Sequence, residues 1–518
     1  MTRAFYVTTP IYYVNADPHI GHTYTTVLAD TLARYHRACG EKTFFLTGCD
    51  MHGEKVLEAA RTRGASPGEV ADHYARRFRA TWDELGLAYS RFIRTTDPDH
   101  VRGVQAILSR LHREGQIYFQ EYEGDYCVGC ERFLTERDLR DGLCRDHERP
   151  PEKRREANYF FRISAHFEWL VGWIREHPDF IRPESYRNEV LGMLREESGL
   201  GDLCISRPKT RLDWGIELPF DRDYVCYVWF DALINYLTGI GYPDAPDFAE
   251  YWAACEHLVA KDILKPHAVF WPIMLRALGL EPMRRLCVHG YWNVDDRKVS
   301  KSLGNMISPL AMRDRYGFEP FRYYLLREMS FGHDASFTEA GMVARINADL
   351  ANNLGNLVSR TLQLTARFAG GQVPEAGAPG GPEGELRAVA EAAPAEIDAC
   401  LRRTDPRRAL EALFRVVDAA NGYLEKREPW RAARDPARAA ELCTTLATAC
   451  EVLRIVAVWL GPFLPVASGE IQARLQLLPG EGGLIADAVR FGAVPLAGRT
   501  VAAGPPLFPR IEPPEGDA

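Results

Sequence analysis

The sequence lacks an apolar run long enough to cross a membrane. Its best candidate, residues 454–467, is interrupted by Gly461, Pro462 and Pro465, whereas a membrane helix needs roughly 18 consecutive apolar residues. The first residues continue directly into a strand-like stretch and lack the charged and apolar regions of a secretory signal. These absences predict a cytoplasmic protein that has no membrane partner.

An excess of basic residues is also missing. The chain has 63 Lys and Arg residues against 71 Asp and Glu residues, which gives a net charge of -8. A protein that coats DNA has a basic footprint, so this class is excluded, although a local nucleic-acid site is not. With 46% hydrophobic and 26% charged residues, the 518-residue chain is neither disordered nor fibrous. At about 150 residues per domain, its length predicts three or four domains.

Two common nucleotide-binding motifs are absent: the Gly-x-x-x-x-Gly-Lys-Ser/Thr loop and Gly-x-Gly-x-x-Gly. Instead, His19-Ile20-Gly21-His22 follows Asp17-Pro18, where we expect a long helix to begin and run to about Arg37. A helix N-terminus attracts anions, and residues three apart point to one side of it. Gly21 allows a flat ring to approach the backbone. The alternative is that His19 caps the helix and His22 is a surface residue.

A second cationic motif, Lys298-Val299-Ser300-Lys301-Ser302, follows a predicted strand and a polar turn. Two lysines beside small residues are typical of a mobile loop that closes over a leaving polyphosphate. Taken alone, the motif is more typical of a solvated basic turn.

Together, these two motifs resemble those of the class I aminoacyl-tRNA synthetases, and the features below resemble the methionyl-tRNA synthetases in particular. The resemblance extends from about Phe5 to about Trp430, and more weakly to Arg510. Val299 departs from it, because Met or Phe is usual there. The resemblance implies an ATP-dependent ligase that converts L-methionine to methionyl-adenylate with release of pyrophosphate. It then transfers methionine to the 3′ end of initiator and elongator methionine tRNA.

The resemblance also implies roles for the two motifs. The residues that stabilise the transition state are His19, His22, Lys298 and Lys301. ATP is further contacted by Gly21, Ser300 and Ser302, and Mg²⁺ accompanies it, held largely by the phosphates.

A third group of residues is implied to bind methionine, whose thioether makes favourable contacts with aromatic rings. Asp50 is suited to pair with the α-ammonium group. The other members of the group are Ile11, Tyr13, Trp229, Ala232, Leu233, Tyr236, Ile263, His267 and Trp271. From spacing alone, aromatic residues in such a domain are usually core residues.

The cysteines are scattered except for one cluster, Cys127-x-x-Cys130 and Cys144-x-x-His147. Three thiolates and one imidazole complete a tetrahedron and leave no open position, so the pattern predicts a structural metal site. The alternative is unligated thiols in a surface loop. The resemblance implies one structural Zn²⁺ per chain in this insertion. We expect the other nine cysteines to be small core residues.

Three positions in the C-terminal half are suited to RNA. Asn356 and Arg360 are one helical turn apart, and Trp430 follows at the end of another predicted helix. Amide, guanidinium and indole groups can read unpaired bases, and the resemblance implies that these three residues recognise the CAU anticodon. Without it, Trp430 is an interhelical anchor and Arg360 a surface cation.

Alternating strands and helices predict an α/β protein with a Rossmann-type parallel sheet, split by a zinc-containing insertion and followed by an all-α anticodon-binding bundle. The expected segments are 1–115 and 225–295 for the two catalytic halves and 116–224 for the connective insertion. Residues 296–345 form the lysine loop and stem-contact region, and 346–518 the helical domain with its tail. The chain stops soon after Arg510 without an added domain, which predicts a monomer.

Two rival functions remain open. A synthetase for leucine or valine would usually carry a much larger editing insertion than residues 116–224. A catalytically silent RNA-binding relative would not need intact His and Lys motifs. ATP–pyrophosphate exchange with a panel of amino acids distinguishes all three functions.

Overall fold

The structure is a computed structural model that describes residues 3–130, 132–134, 138–196, 201–294, 297–298 and 306–512. Contacts within the chain divide it into two compact units. The first comprises Ala4–Thr26 and Phe44–His289, and the second comprises Met1–Arg3, Val27–Thr43 and Gly290–Ala518.

The described residues form 18 strands and 19 α-helices. The strands are β1 Ala4–Tyr13, β2 Lys42–Asp50, β3 Arg91–Arg94, β4 Ile117–Cys127, β5 Arg132–Leu134, β6 Leu139–Arg140, β7 Leu143–Cys144, β8 Glu152–Phe161, β9 Ile181–Arg182, β10 Leu203–Cys204, β11 Ser206–Pro208, β12 Glu217–Leu218, β13 Asp221–Cys226, β14 Cys255–Ala260, β15 Arg285–His289, β16 Trp292–Val294, β17 Arg297–Lys298 and β18 Ala335–Phe337.

The α-helices are α1 Ile20–Ala38, α2 Glu54–Arg63, α3 Pro67–Glu84, α4 Pro98–Arg113, α5 Phe167–Glu176, α6 Glu184–Glu196, α7 Val228–Thr238, α8 Phe248–Ala253, α9 Trp271–Ala277, α10 Pro309–Tyr316, α11 Phe318–Glu328, α12 Glu339–Arg345, α13 Gly355–Phe368, α14 Gly381–Leu401, α15 Pro406–Arg427, α16 Pro429–Ala432, α17 Ala439–Leu460, α18 Pro465–Arg474 and α19 Ile485–Ala488. Two π-helical stretches, Pro266–Phe270 and Ile346–Leu354, precede α9 and α13.

A six-stranded sheet in the order β3-β2-β1-β14-β15-β9 organises the first unit. The pairings of β2 with β3, β1 with β14, β14 with β15 and β15 with β9 are all parallel. Parallel sheets are covered on both faces, which explains why β1 and β14 are almost wholly buried. This architecture confirms the predicted Rossmann-type fold.

Two strands differ from the expected alternation. The second catalytic half was expected to begin at residue 225, but β13, which includes this residue, pairs antiparallel with β11 and β12 in a separate three-stranded sheet. The two-residue strand β9 lies within the expected insertion, yet it forms the edge of the parallel sheet through β15. A strand this short carries no periodic signal that a sequence pattern could reveal.

Helix α1 begins at Ile20, later than the Asp17-Pro18 start that we expected. The Asp17 carboxylate accepts hydrogen bonds from Arg77, including one of 3.0 Å, and is therefore engaged away from the helix. The Nδ1 atom of His19 accepts the Gly21 N–H at 3.1 Å instead, so His19 takes the capping role.

Helices dominate the second unit after residue 338, as predicted. Helix α14 packs against α15, and α17 packs against α13, α15 and α18. The expectation that no segment is long and apolar enough to cross a membrane is wrong by length and composition, because the segment Pro436–Leu460 meets both criteria. However, 83% of its most apolar window is buried inside the fold. A core helix has the same properties, so this segment is weak evidence for a membrane span.

The expectation that the nine remaining cysteines are core residues is partly wrong. Four of them, Cys39, Cys204, Cys400 and Cys443, are only half-buried. A cysteine is small enough to occupy the margin of a helix or strand without a packing penalty.

Candidate active site

The two histidines of the first motif lie together at the N-terminus of α1. Their rings stack with centroids 3.8 Å apart at an interplanar angle of 27°. The His22 ring also contacts Tyr12 and Phe78, at centroid distances of 4.7 and 5.2 Å. The pair is therefore a fixed group held by the surrounding aromatic rings.

Backbone hydrogen bonds determine which nitrogen of each ring carries the proton. The Nδ1 atom of His22 accepts the His19 N–H at 3.3 Å, and Nδ1 of His19 accepts the Gly21 N–H. A neutral imidazole has one donor and one acceptor, so each ring carries its proton on Nε2. Burial, with a smaller contribution from His19, holds the pKa of His22 well below its ordinary value. The His22 ring can therefore act as a neutral donor.

Gly21 lies against the His19 ring of this chain, and its expected contact with ATP stays a prediction. A Cβ atom at this position would lie 3.1 Å from Cε1 and 3.3 Å from Nδ1 of His19. The absent side chain thus lets the His19 ring lie against the first turn of α1.

The lysine motif can be located only in part. The backbone of Lys298 lies in β17, where it pairs antiparallel with Asn293 of β16. The side chain of Lys298 and all of Ser300, Lys301 and Ser302 lie outside the described residues. Their expected roles consequently stay predictions.

The side chains expected to bind methionine form a continuous aromatic group in the first unit. The Tyr236 ring lies 5.7 Å from His267 and 6.0 Å from Trp271. Trp229 contacts Tyr13 and His267 edge-on, at 6.5 and 6.4 Å. The aliphatic members of the group are buried or half-buried, and each lies within four residues of one of its aromatic members. They are Ala232 and Leu233 on α7, Ile11 on β1 and Ile263 before the π-helical stretch.

One hydrogen-bond chain orients the polar atoms of this group. Nδ1 of His267 lies 2.8 Å from the Ile263 carbonyl, so the ring donates there and accepts the Tyr236 hydroxyl proton on Nε2, also at 2.8 Å. Burial lowers the pKa of His267 to about 4, which keeps the ring neutral. A neutral, aromatic surface is suited to a thioether side chain.

Asp50 is the last residue of β2, at the carboxyl edge of the parallel sheet. Its side chain is buried, and Oδ1 accepts the His52 N–H at 3.3 Å. Ligands of open α/β sheets bind at this edge, so Asp50 is placed where an ammonium group of a substrate would be expected.

A buried His–Asp–His cluster was missed by the reading of the sequence. Asp231 of α7 lies with Oδ2 2.6 Å from Nδ1 of His52 and Oδ1 2.7 Å from Nε2 of His100. Burial raises the pKa of Asp231, but the two histidines outweigh this effect and the pKa lies below its ordinary value. His52 and Asp231 each follow by two residues a residue expected to bind methionine, Asp50 or Trp229, whereas His100 has no local signal in the sequence.

The predicted metal ligands converge in the first unit. One ligand atom each from Cys127, Cys130, Cys144 and His147 lies within 4.8 Å of all the others. Sγ of Cys130 lies 3.5 Å from Sγ of Cys144 and 3.3 Å from Nδ1 of His147. A tetrahedral zinc site with Zn–S bonds of ~2.3 Å places its sulfur atoms about 3.8 Å apart. The donor set and its spacing fit zinc.

Gly129, between the first two cysteines, is a further residue that the sequence pattern did not single out. A Cβ atom there would lie 2.5 Å from Cδ2 of His147. Any side chain would push the imidazole away from the thiols, so glycine is needed for closure of the cluster.

The three expected base-reading residues lie in the second unit and contact one another in part. The Arg360 guanidinium lies over the Trp430 ring, 5.6 Å from its centroid. Asn356 is exposed on the preceding turn of α13, and its amide is 3.4 Å from Oδ1 of Asn421. Arg360 and Trp430 are half-exposed, so the group presents an amide, a cation and an indole at the surface.

Comparison with known proteins identifies two family profiles along the chain. The family described as "tRNA synthetases class I (M)" matches residues 5–147 and 136–362. The family described as "Anticodon binding domain of methionyl tRNA ligase" matches residues 373–515.

Two bacterial proteins and one solved structure illustrate what the chain is similar to. The chain is 45% identical to a methionine–tRNA ligase of Deinococcus radiodurans, over 99% of this chain and 75% of that protein. It is 41% identical to the one of Streptomyces coelicolor, over 98% of this chain and 97% of that protein. A crystal structure of Mycobacterium tuberculosis methionyl-tRNA synthetase bound by methionyl-adenylate superimposes with a TM-score of 0.93 at 38% identity, covering 98% of this chain and all of that one.

Proposed function

The chain belongs to the class I methionyl-tRNA synthetases, and on that basis we propose which of its residues carry out the ligation of methionine to tRNA. The reaction is the ATP-dependent formation of methionyl-adenylate followed by transfer of methionine to tRNA. Catalysis of this kind depends on positioning and on electrostatic stabilisation of the phosphates. The residues below divide these tasks.

His19 and His22 contact ATP with their Nε2 protons. The backbone bonds at both Nδ1 atoms leave Nε2–H as the donor, and the N-terminus of α1 contributes its dipole to the same anion. As the methionine carboxylate attacks the α-phosphate, negative charge grows on phosphate oxygens, and a fixed donor stabilises this charge without reorganisation. Gly21 gives the His19 ring room to lie against the first turn of α1.

Lys298 and Lys301, with Ser300 and Ser302, complete the ATP site from the second motif. Lysine is a compact point charge on a flexible stem, and it suits a leaving pyrophosphate whose position changes during the reaction. Mg²⁺ accompanies ATP and is held largely by phosphate oxygens, as is usual for this ion.

Asp50 binds the α-ammonium of methionine, and the aromatic group binds its side chain. A charge-assisted bond from a buried carboxylate separates amino acids from other carboxylic acids. Trp229, Tyr236 and Trp271 surround the thioether together with Tyr13 and His267, and Ile11, Ala232, Leu233 and Ile263 supply the aliphatic walls. The neutral state of His267 keeps this slot free of charge.

The cysteine cluster holds one structural Zn²⁺ through Cys127, Cys130, Cys144 and His147. Four protein ligands leave no position for a substrate, so the zinc has a structural role and stabilises the fold of the loop that carries it.

Asn356, Arg360 and Trp430 contact the CAU anticodon of methionine tRNA by hydrogen bonds and stacking. The enzyme acts as a cytoplasmic monomer.

The observation that carries the assignment to methionine is the position of Asp50 at the carboxyl edge of the sheet. Its carboxylate accepts the N–H of His52, whose ring bonds to Asp231 on the helix that bears Trp229. Replacement of Asp50 by Asn should raise the KM for methionine by about a hundredfold or more, because a charged partner is lost, while the KM for ATP changes little. ATP–pyrophosphate exchange measures both constants. An unchanged KM for methionine would overturn the assignment of Asp50.

A further inference from the structure

Asp231 connects the end of β2, which is assigned to the α-ammonium of methionine, with α7, which is assigned to its side chain. It is fully buried on α7, two residues after Trp229 and next to Ala232. Its carboxylate bonds to His52 at 2.6 Å, and His52 follows Asp50 by two residues. The backbone N–H of His52 in turn donates to Oδ1 of Asp50 at 3.3 Å. A short chain of bonds thus leads from Asp50 to α7.

The second histidine reinforces this connection. Nε2 of His100 donates to Oδ1 of Asp231, and its Nδ1 lies 2.8 Å from Oγ1 of Thr238 at the C-terminal end of α7. His100 therefore bonds α7 at two points, two helical turns apart, from α4. On the other side, Oγ1 of Thr95 lies 3.2 Å from Nδ1 of His52 and accepts the Met51 N–H at 3.0 Å. Each ring and the carboxylate have at least two polar partners, which makes the cluster rigid.

We infer that Asp231 is a positioning residue that, through His52 and His100, sets the distance between Asp50 and the side-chain slot on α7. It thereby determines the length of the amino acid that is activated. The inference rests on the proposed roles of Asp50 and Trp229, and it adds to them the residue that holds the two at a fixed separation.

Length discrimination needs such a device. An apolar slot distinguishes substrates that differ by one methylene only by about 10–200-fold, and this ratio depends on walls that cannot move. A displacement of ~1 Å at a positioned group can cost about a hundredfold in rate. Loosening the link between β2 and α7 would let the slot shift by a comparable distance and accept a longer or shorter side chain.

The test compares S-methylcysteine, methionine and ethionine, which differ by one methylene at a time, in ATP–pyrophosphate exchange. In Asp231→Asn, the ratio of kcat/KM for methionine to that for either analogue should fall by about tenfold or more. The KM for methionine should rise, whereas the KM for ATP should change by less than about threefold. Equal ratios in the variant and the parent would overturn the inference.

Variants of His100 keep the test informative if Asp231→Asn does not fold. The amide nitrogen of Gln reaches about as far as Nε2 of His and can donate to the same carboxylate. His100→Gln should therefore keep the parent's ratios, while His100→Leu should lose them. Equal ratios in the Gln and Leu variants would contradict the inference, because hydrogen bonding to Asp231 would then be irrelevant to selectivity.

Glu41→Gln is a matched control. Glu41 forms a similar buried pair with His36, whose Nδ1 is 2.6 Å from Oε2, but it contacts none of the residues assigned to methionine. This variant should lose stability and keep the parent's length ratios. The two proposals fail differently: a parent that does not activate methionine overturns both, whereas loss of methionine binding in Asp50→Asn with parental ratios in Asp231→Asn overturns only the role of Asp231.

Discussion

The indole of Trp271 donates its Nε1 proton to Nε2 of His257 at 3.1 Å. This bond places the proton of His257 on Nδ1, which donates to Oγ1 of Thr8 at 2.7 Å. His257 is fully buried in β14, and its ring also lies 4.1 Å from that of Tyr236. Trp271 and Tyr236, both assigned to methionine, are therefore in contact with one buried histidine. The hydrogen bond from Trp271 requires this histidine to be neutral.

Stability should fall as the solution is acidified below pH 6.5. Burial holds the pKa of His257 well below its ordinary value and lowers that of His267 to about 4. Below pH 6.5 these two histidines bind protons in the unfolded chain but stay neutral in the folded chain. The free energy of unfolding therefore decreases as the pH falls. Each such histidine contributes up to about 1.4 kcal/mol per pH unit. For His267 the loss continues to about pH 4.

Urea unfolding at pH 7, 6 and 5 measures this effect. His257→Asn removes one titrating group and should reduce the slope of stability against pH. The control Thr8→Val removes a hydrogen bond but no titrating group, so it should lower stability by a similar amount at every pH. A slope that is the same in His257→Asn and in the parent would refute the link.

The Nε2 proton of His22 should matter more for activity than its Nδ1 atom. In His22→Gln the amide group can replace Nε2–H, whereas in His22→Asn it reaches only as far as Nδ1. We expect the Gln variant to keep methionine-dependent ATP–pyrophosphate exchange within about tenfold of the parent and the Asn variant to lose about 10²–10³-fold in kcat. The reverse order would show that the tautomer assignment is wrong.

Metal content should depend on all four ligands of the cysteine cluster. Cys144→Ser removes a thiolate, and we expect its zinc content to fall from one per chain to nearly none after dialysis, as measured by elemental mass spectrometry. Cys443→Ser, at a half-buried cysteine outside the cluster, is the control and should keep its zinc. Full zinc content in Cys144→Ser would exclude the four-ligand site.

Replacement of Trp430 should weaken the charging of tRNA without affecting the activation of methionine. Trp430→Ala removes the ring under the Arg360 guanidinium, and stacking on a base is worth about 1–3 kcal/mol. We therefore expect kcat/KM for methionine tRNA to fall by about 10–100-fold while pyrophosphate exchange is unchanged. Loss of exchange would mean instead that the variant unfolds the helical unit.

The parts that the sequence predicted are those whose chemistry lies in short segments. The His pair and the four metal ligands each fall within a few residues or in two spaced pairs, and the structure brings them together. In each case a local pattern is sufficient, because the interacting groups share one turn or two adjacent turns.

The parts that remained hidden depend on contacts between distant residues. His100 and His257 look like ordinary core residues until α4 and β14 are packed, and β9 is too short to show a period. Helix α1 begins later than predicted because Asp17 bonds to Arg77, which is 60 residues away. Tertiary partners of this kind override local propensity and cannot be read from one segment.

The most direct test of the account is ATP–pyrophosphate exchange by the parent enzyme with a panel of methionine, leucine, isoleucine and valine. The arrangement of Asp50 and the neutral aromatic slot predicts exchange with methionine at a kcat/KM at least about a hundredfold above that for each of the others. Equal or faster exchange with leucine, isoleucine or valine would contradict the assignment of this site to methionine.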